Sequence, residues 1–317
     1  MRTGSSRAAG TLLTLAACGF LIPSARAGLY NFTTFDSPGA VESGAVAVNN
    51  PGQVVGVSWD QNFNSLGYLL SGGAFSTINA PFGVNGTQAL GINDAGQIVG
   101  SYVGANNLGR PFLLSGGTYT PLPNAPGANE TYAWSINNLG QVVGTYYDAS
   151  FISHGFLYDG GLFTTIDVPG AGGTYVTGVN DAGVIAGSYY DPNGGFNLHG
   201  FLYAGGVFTP FDVPGAVYTS VSRINNLGQV VGDYFDVNFN DHGFLYDGGL
   251  FTTIDVPGAA ATQAYGINDA GVIVGIAYDA AFGSHSFIAT PVPEPASLAL
   301  VGVGGLLSLG YARRRRA

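Results

Sequence analysis

The chain has 317 residues and a formal net charge of −10 at neutral pH, with 52 glycines and one cysteine. It contains no lysine, and between residues 28 and 292 two arginines stand against eighteen acidic residues, so this span carries a charge of −16. Such an acidic span argues against binding to nucleic-acid phosphates or to anionic lipid surfaces. The single cysteine also excludes an intramolecular disulfide.

Residues 1–27 have the three parts of a secretory signal peptide: a basic start, an apolar middle at 11–22 and an A-x-A site formed by Ala25 and Ala27. We expect cleavage after Ala27. The tetrapeptide that ends at Cys18 also fits a lipobox, which is the alternative interpretation. Both interpretations predict export from the cytoplasm.

The chain from residue 28 to 290 is one repeat array. The segment HGFLYDGGLFTTIDVPGA occurs unchanged at 154–171 and at 242–259. An Asn-containing turn followed by an apolar run occurs six times, with a period of 43 to 45 residues. The leading asparagines of these turns are Asn49, Asn93, Asn137, Asn180, Asn225 and Asn268. This period is typical of β-propeller blades, which have about 40–45 residues.

Each repeat unit contains four segments rich in Val, Ile, Tyr, Phe and Thr, bounded by Gly, Asn, Asp or Pro. In the central copies these are 155–158, 162–167, 174–179 and 183–190. The composition predicts four strands in each unit and an all-β fold. The sequence Asn-Asp-Ala-Gly fits a type I turn closed by a glycine with positive φ, and Asp-Gly-Gly fits a second tight hairpin.

The two ends of the array indicate how it closes. The last unit stops at 285–290 without a fourth strand, and the first unit is preceded by an unpaired strand-like segment at 30–40. We therefore expect a six-bladed β-propeller in which the N-terminal strand completes the last blade and removes the free sheet edges. A β-solenoid is the structural alternative.

The C-terminal residues 291–317 contain a short motif, an apolar segment and a basic end. The motif is Val292, Pro293, Glu294 and Pro295. The basic end is Arg313, Arg314, Arg315 and Arg316. The seventeen uncharged residues 296–312 would form a helix about 26 Å long, enough to cross a bilayer with the arginines on the cytoplasmic side.

This three-part order resembles the PEP-CTERM sorting signal, which implies a Gram-negative bacterium and recognition by an exosortase-type membrane processing enzyme. The resemblance also implies a link to exopolysaccharide and biofilm, with only a transient membrane anchor before release to the cell surface or matrix. Across residues 30–290 the repeats resemble the HAF family of extracellular repeats, on His-Gly-Phe-Leu at 154–157, 199–202 and 242–245. That second resemblance implies a location rather than an activity.

Two sets of repeated residues are candidates for ligand contact. All four histidines, at 154, 199, 242 and 285, occupy one repeat position, which suggests a metal ring or, as we favour, hydrogen bonding to a neighbouring loop. Aromatic-Asp pairs end the second strand of five units and could bind a sugar or Ca²⁺, although packing and turn formation explain the recurrence first. These pairs are Trp59 and Asp60, Tyr147 and Asp148, Tyr190 and Asp191, Phe235 and Asp236, and Tyr278 and Asp279.

The sequence contains no nucleophile elbow, phosphate loop or zinc motif. The residues that depart from the repeat are Glu42, Arg110, Glu130, Trp134 and Arg223, and divergence of the copies accounts for them. We therefore expect an exported, non-enzymatic binding or scaffold protein with no cofactor and no metal, with extracellular polysaccharide as its candidate partner. The alternative is a carbohydrate-active hydrolase or lyase on the same fold.

Overall fold

The computed structural model describes residues 30–192 and 197–292, and the regular structure of these residues is entirely β. Twenty-four strands form six four-stranded antiparallel sheets. In five of the sheets the four strands follow chain order. The first strands of neighbouring sheets contact one another in a circle, so the six sheets are the blades of a propeller. The predicted all-β, six-bladed propeller is confirmed.

The strand bounds are as follows, beginning with the N-terminal strand β1 (Tyr30–Phe35). Blade 1 contains β2 (Glu42–Val48), β3 (Val54–Trp59), β4 (Ser65–Ser71) and β5 (Ala74–Ile78). Blade 2 contains β6 (Thr87–Ile92), β7 (Ile98–Val103), β8 (Gly109–Ser115) and β9 (Thr118–Pro121). Blade 3 contains β10 (Glu130–Ile136), β11 (Val142–Tyr147), β12 (Ser153–Asp159) and β13 (Leu162–Ile166).

Blade 4 contains β14 (Gly173–Val179), β15 (Ile185–Tyr190), β16 (Leu198–Ala204) and β17 (Val207–Phe211). Blade 5 contains β18 (Tyr218–Ile224), β19 (Val230–Phe235), β20 (Asp241–Asp247) and β21 (Leu250–Ile254). Blade 6 contains β22 (Ala261–Ile267), β23 (Ile273–Tyr278) and β24 (Ser284–Pro291), and its fourth strand is β1.

The turns have the geometry that their residue types predict. In blade 4, Gly183 has a φ of +75° and its N–H donates to the Asn180 carbonyl at 3.1 Å, as in a type I turn closed by glycine. Because this glycine belongs to the turn, β15 begins at Ile185 and not at residue 183. Gly160 and Gly161 both have positive φ, the requirement of a type I′ hairpin.

Strand β1 lies on the outside of blade 6, antiparallel to β24 with Tyr30 opposite Pro291 and Phe35 opposite Ser286. The sixth sheet is therefore built from segments about 250 residues apart in the chain. The Phe32 ring packs against Phe287 with 6.1 Å between centroids, so the strand buries apolar surface as well as pairing its backbone.

The core lies between neighbouring blades. The third strand of blades 2 to 6 contributes one buried phenylalanine, and blade 1 places Tyr68 there. A glycine of the second strand faces this ring. In blade 3 a Cβ at Gly144 would overlap the backbone oxygen of Tyr132 on the first strand and would also lie 2.7 Å from the Phe156 ring, closer than real side-chain contacts. The recurring glycine of the second strand thus follows from the close approach of the first-strand backbone and of the buried ring.

The predicted signal peptide, the residues 293–295, the apolar segment 296–312 and the terminal arginines lie outside the described residues. Within residues 30–192 and 197–292, no helix is long and apolar enough to span a membrane.

Candidate ligand-binding site

One face of the propeller is closed by a complete ring of asparagine side chains. The Nδ2 group of the leading Asn of each turn donates to the backbone carbonyl of the equivalent Asn in the next blade, at 3.0 to 3.2 Å. Its Oδ1 accepts N–H groups of its own turn, as Asn49 does from Gln53. The recurring Asn residues therefore connect the blades, and their amides are already occupied.

The opposite face carries the loops between the second and third strands, where the predicted aromatic-Asp pairs lie. The Asp148 carboxylate accepts the backbone N–H groups of Ser150 and Ile152 at 2.8 and 2.9 Å. Asp60, Asp236 and Asp279 make the same pair of bonds in their loops. Hydrogen bonds to a carboxylate favour its ionised form. They lower the pKa of Asp236 to about 2, and the bond from the Asn240 side chain is the largest cause.

The same loops hold one exposed phenylalanine each. Phe63, Phe151, Phe239 and Phe282 have φ of 60° to 64°, the left-handed region, and their residues are 72–78% exposed. The loop of blade 4, at 193–196, lies outside the described residues. The second-strand Asp stabilises this strained backbone through its two N–H bonds.

Each of the four histidines lies between two carboxylates. His154 Nδ1 is 2.7 Å from Asp167 Oδ2, and its Nε2 is 3.6 Å from Asp148 Oδ2. His199, His242 and His285 repeat this arrangement. The hydrogen bond with Asp36 raises the pKa of His285. The predicted loop contacts are thus present. Within the described residues no group of His, Cys, Asp and Glu is placed to hold a metal ion.

The aromatic members of the pairs do not form one surface. Tyr147, Tyr190 and Phe235 each pack on an aromatic residue of the first strand in their own blade, at 4.9 to 6.2 Å. Trp59 instead lines a cavity on the propeller axis. The structure therefore separates this candidate set, and only Trp59 is part of the cavity.

The axial cavity has a volume of about 310 Å³, and all six blades contribute to its wall. Its position depends on a β-bulge in the first strand of every blade, where one residue has no partner on the second strand. A bulge re-aims its side chain, here towards the axis. The bulged residues are Val46, Leu90, Trp134, Thr177, Ser222 and Tyr265, and all six line the cavity. They differ in every blade.

Arg223 crosses the axis at one end of this cavity. It is the residue directly after the bulged residue of blade 5. The residues at the equivalent position in the other blades are small: Ala47, Gly91, Ser135, Gly178 and Gly266. Its guanidinium donates to the backbone carbonyls of Leu90, Trp134 and Thr177 at 2.8 to 3.0 Å, which are the bulged residues of blades 2, 3 and 4. Since it also lines the small recess behind the Asn ring, Arg223 separates that recess from the cavity.

Burial lowers the pKa of Arg223 to about 10, so the group stays charged at neutral pH. Within residues 30–192 and 197–292 it forms no salt bridge. Its Nε and the Nε1 of Trp134 are buried without a hydrogen-bond partner in this part of the chain. Both groups are N–H donors on residues that line the cavity.

Blade 5 also holds two carboxyl groups that its neighbours lack. Asp233 stands where blades 2 and 4 have Ser101 and Ser188, and Asp241 stands where blade 3 has Ser153. Burial, then the charge of Asp241, raises the pKa of Asp233 to about 8. Burial raises the pKa of Asp241 to about 6, although Gln263 donates to it at 2.7 Å.

Comparisons with known proteins identify one motif and the fold. Residues 291–316 match the PEP-CTERM protein-sorting motif. No curated protein matches the sequence at a significant level. Among solved structures, AofleA from Arthrobotrys oligospora has a TM-score of 0.52 at 12% identity, covering 83% of this chain and 90% of that one.

Two further structures have similar scores. The SapL1 lectin in complex with alpha methyl fucoside has a TM-score of 0.52 at 14% identity, covering 81% of this chain and 98% of that one. TolB from Acinetobacter baumannii has a TM-score of 0.51 at 11% identity, covering 78% of this chain and 64% of that one. At these identities the likeness shows the propeller fold alone.

Proposed function

We propose that this protein is an exported, non-enzymatic binding protein whose axial cavity holds a glycan at the cell surface or in the extracellular matrix. The observation that carries the proposal is the break in repeat symmetry around one cavity. Positions that maintain the blades are nearly constant, whereas the six bulged residues that face the axis all differ. Tryptophan and tyrosine faces in such a wall suit a sugar ring, with polar groups to orient it.

The PEP-CTERM motif implies export and C-terminal sorting by an exosortase in a Gram-negative bacterium. On this basis we propose that residues 1–27 are removed, that 296–312 anchor the chain transiently, and that processing delivers the propeller to the surface or polysaccharide matrix. The resemblance of the repeats to HAF repeats supports an extracellular site. That a propeller such as SapL1 is a lectin supports sugar binding on this fold.

Sorting is tested by changing Pro293, Glu294 and Pro295 together to alanine and following the protein in cell fractions. We expect the variant to stay in the membrane, because the processing enzyme loses its recognition motif. Thr290→Ala, which precedes the motif, is the control and should be released normally. Unchanged release of the triple variant would contradict the sorting proposal.

Glycan binding is tested by applying the purified protein to a glycan array. We expect Trp134→Ala to weaken binding about tenfold, because it removes a ring from the cavity wall. Phe151→Ala, which removes an exposed ring from a loop tip, should bind normally. Loss of binding in the second variant alone would place the contact surface on the loops.

The pair of buried carboxyls in blade 5 favours a second candidate, a hydrolase or lyase. A carboxyl that keeps its proton near neutral pH can serve as a general acid. However, neither Asp233 nor Asp241 is among the residues that line the cavity, so neither faces the proposed ligand. Release of reducing ends from a polysaccharide, abolished in Asp233→Asn, would establish the enzyme instead.

A further inference from the structure

The charge of Arg223 is the least compensated feature of the axial cavity. Only 7% of the residue is exposed, and its three hydrogen-bond acceptors are backbone carbonyls. Carbonyl dipoles orient a guanidinium but carry no net charge to neutralise it. A buried cation without a counter-ion is costly, and in proteins such groups are normally paired.

Two residues of the cavity wall carry buried donor atoms that have no hydrogen-bond partner in the described part of the chain. Arg223 Nε and Trp134 Nε1 lack a partner within the described residues, and both residues line the cavity. The unpaired acceptors in the same part of the chain belong to Ser101, Thr145, Asp241, Asp255 and Ser284, which do not line it. Both atoms are covered by neighbouring protein atoms, so a ligand that accepts hydrogen bonds reaches them when the two side chains turn towards the cavity.

We propose that the axial cavity binds a sugar acid, with its carboxylate directed to Arg223 and Trp134 and its ring against the aromatic wall. The inference rests on the proposed function and adds the chemical class of the glycan. A carboxylate accepts through two oxygens and supplies the missing negative charge, whereas a neutral hydroxyl supplies only an acceptor.

The size and charge of the molecule limit the ligand further. A volume of about 310 Å³ is at the low end for ligand pockets and fits one or two sugar rings. Trp59, Trp134, Tyr175 and Tyr265 are the aromatic residues of its wall. The charge of −16 on residues 28–292 disfavours a long polyanion but not a short ligand or a chain end with one or two carboxylates.

The protein carries its own reporter for the test. Its two tryptophans, Trp59 and Trp134, both line the cavity, so intrinsic fluorescence reports on this site. The full chain is titrated with glucuronate, galacturonate and mannuronate, each beside glucose, galactose or mannose as its neutral counterpart. Calorimetry gives the affinities independently. We expect at least one acid to bind roughly tenfold or more tightly than its neutral counterpart.

Two variants test the residues. Arg223→Gln should abolish the preference for the acid, but it also removes a residue that holds three blades. Trp134→Phe keeps a smaller aromatic ring and removes the Nε1 donor, so it should weaken binding of the acid more than binding of its neutral counterpart while the far-ultraviolet circular dichroism stays unchanged. Arg110→Gln is the matched control, because this arginine binds the carbonyls of Gly109 and Asn129 away from the cavity and should not affect affinity.

The outcomes separate the two proposals. Equal affinity for acids and neutral sugars, or a preference that persists in a folded Arg223→Gln variant, overturns the sugar-acid inference and leaves glycan binding in place. If no sugar of the panel and no glycan of the array binds, the proposed function fails and the inference fails with it. An acid preference that Arg110→Gln removes as strongly as Arg223→Gln would also overturn the inference.

Discussion

At the scale of single residues, Asp233 shows how one substitution in a repeat changes the response of the protein to pH. The pKa of this carboxyl is about 8, against its ordinary value of 3.8. The folded state therefore holds a proton that the unfolded chain has released between about pH 4 and pH 8. Its contribution to stability is fully present below pH 4 and is lost as pH rises through 8.

We predict that Asp233→Asn raises the free energy of unfolding by about 1–3 kcal/mol at pH 9, because no buried charge then has to form. At pH 5 the variant and the parent protein should differ much less. Urea denaturation at the two pH values measures the difference. Asp247→Asn, an exposed carboxyl of the same blade, should show no such dependence. A gain in the free energy of unfolding that is equal at pH 5 and pH 9 would contradict the raised pKa of Asp233.

At the scale of one element, strand β1 covers an edge that would otherwise be free. It supplies the fourth strand of blade 6, packs Phe32 on Phe287 and brings Asp36 to within 3.0 Å of His285 Nδ1. Without it β24 would present unpaired N–H and C=O groups to solvent, and such an edge promotes pairing between chains.

We predict that deleting residues 30–36 lowers the melting temperature by about 10 °C or more and makes the protein associate as its concentration rises. Thermal scans and light scattering measure the two effects. A synthetic peptide with the sequence of residues 30–36, added in excess, should restore the monomer by pairing with β24. A deleted chain that stays monomeric and equally stable would show that the pairing contributes little.

At the scale of the whole molecule, the second residue of each Asn turn forms a ring in which Asn and Asp alternate. The members in order are Asn50, Asp94, Asn138, Asp181, Asn226 and Asp269. Asn138 Nδ2 donates to both neighbouring carboxylates, at 3.0 and 2.9 Å. A strict alternation of Asn and Asp can close only in a ring with an even number of blades. The alternation is therefore compatible with the six blades of this propeller.

We predict that Asn138→Asp lowers the melting temperature by several degrees, because it places three carboxylates in succession and removes two donated bonds. Part of the loss should be recovered in 1 M salt, which screens exposed charges. Asp181→Asn makes the opposite exchange and should cost less. If the two substitutions cost the same and salt has no effect, charge alternation does not matter.

Much of the architecture could be predicted from the sequence alone. The period of the Asn turns, the turn chemistry of Gly183 and the composition of the strands are local signals, and local signals are visible in the order of residues. The unpaired strand at the N-terminus suggested pairing with the last unit in the same way. The sorting motif at 291–316 is also a linear signal.

The candidate site was harder to predict because it is assembled across the whole ring. Trp134 and Arg223 visibly depart from the repeat, but in the sequence alone divergence of the copies is a sufficient explanation for both. When the six copies are aligned on the leading Asn of each turn, the residue three positions before it differs in every copy, and this is the bulged residue. The direction of that side chain depends on the bulge in the strand pairing, which the order of residues does not reveal.

By itself, the sequence determined the blades, their number and the destination that the C-terminal motif implies, because each depends on residues near one another in the chain. Only the tertiary structure decided where a ligand could bind. The bulges turn six different side chains to a common axis, and closure brings Arg223 within hydrogen-bonding distance of carbonyls as far as 133 residues away. Burial at that axis also leaves the guanidinium without a counter-ion within residues 30–192 and 197–292.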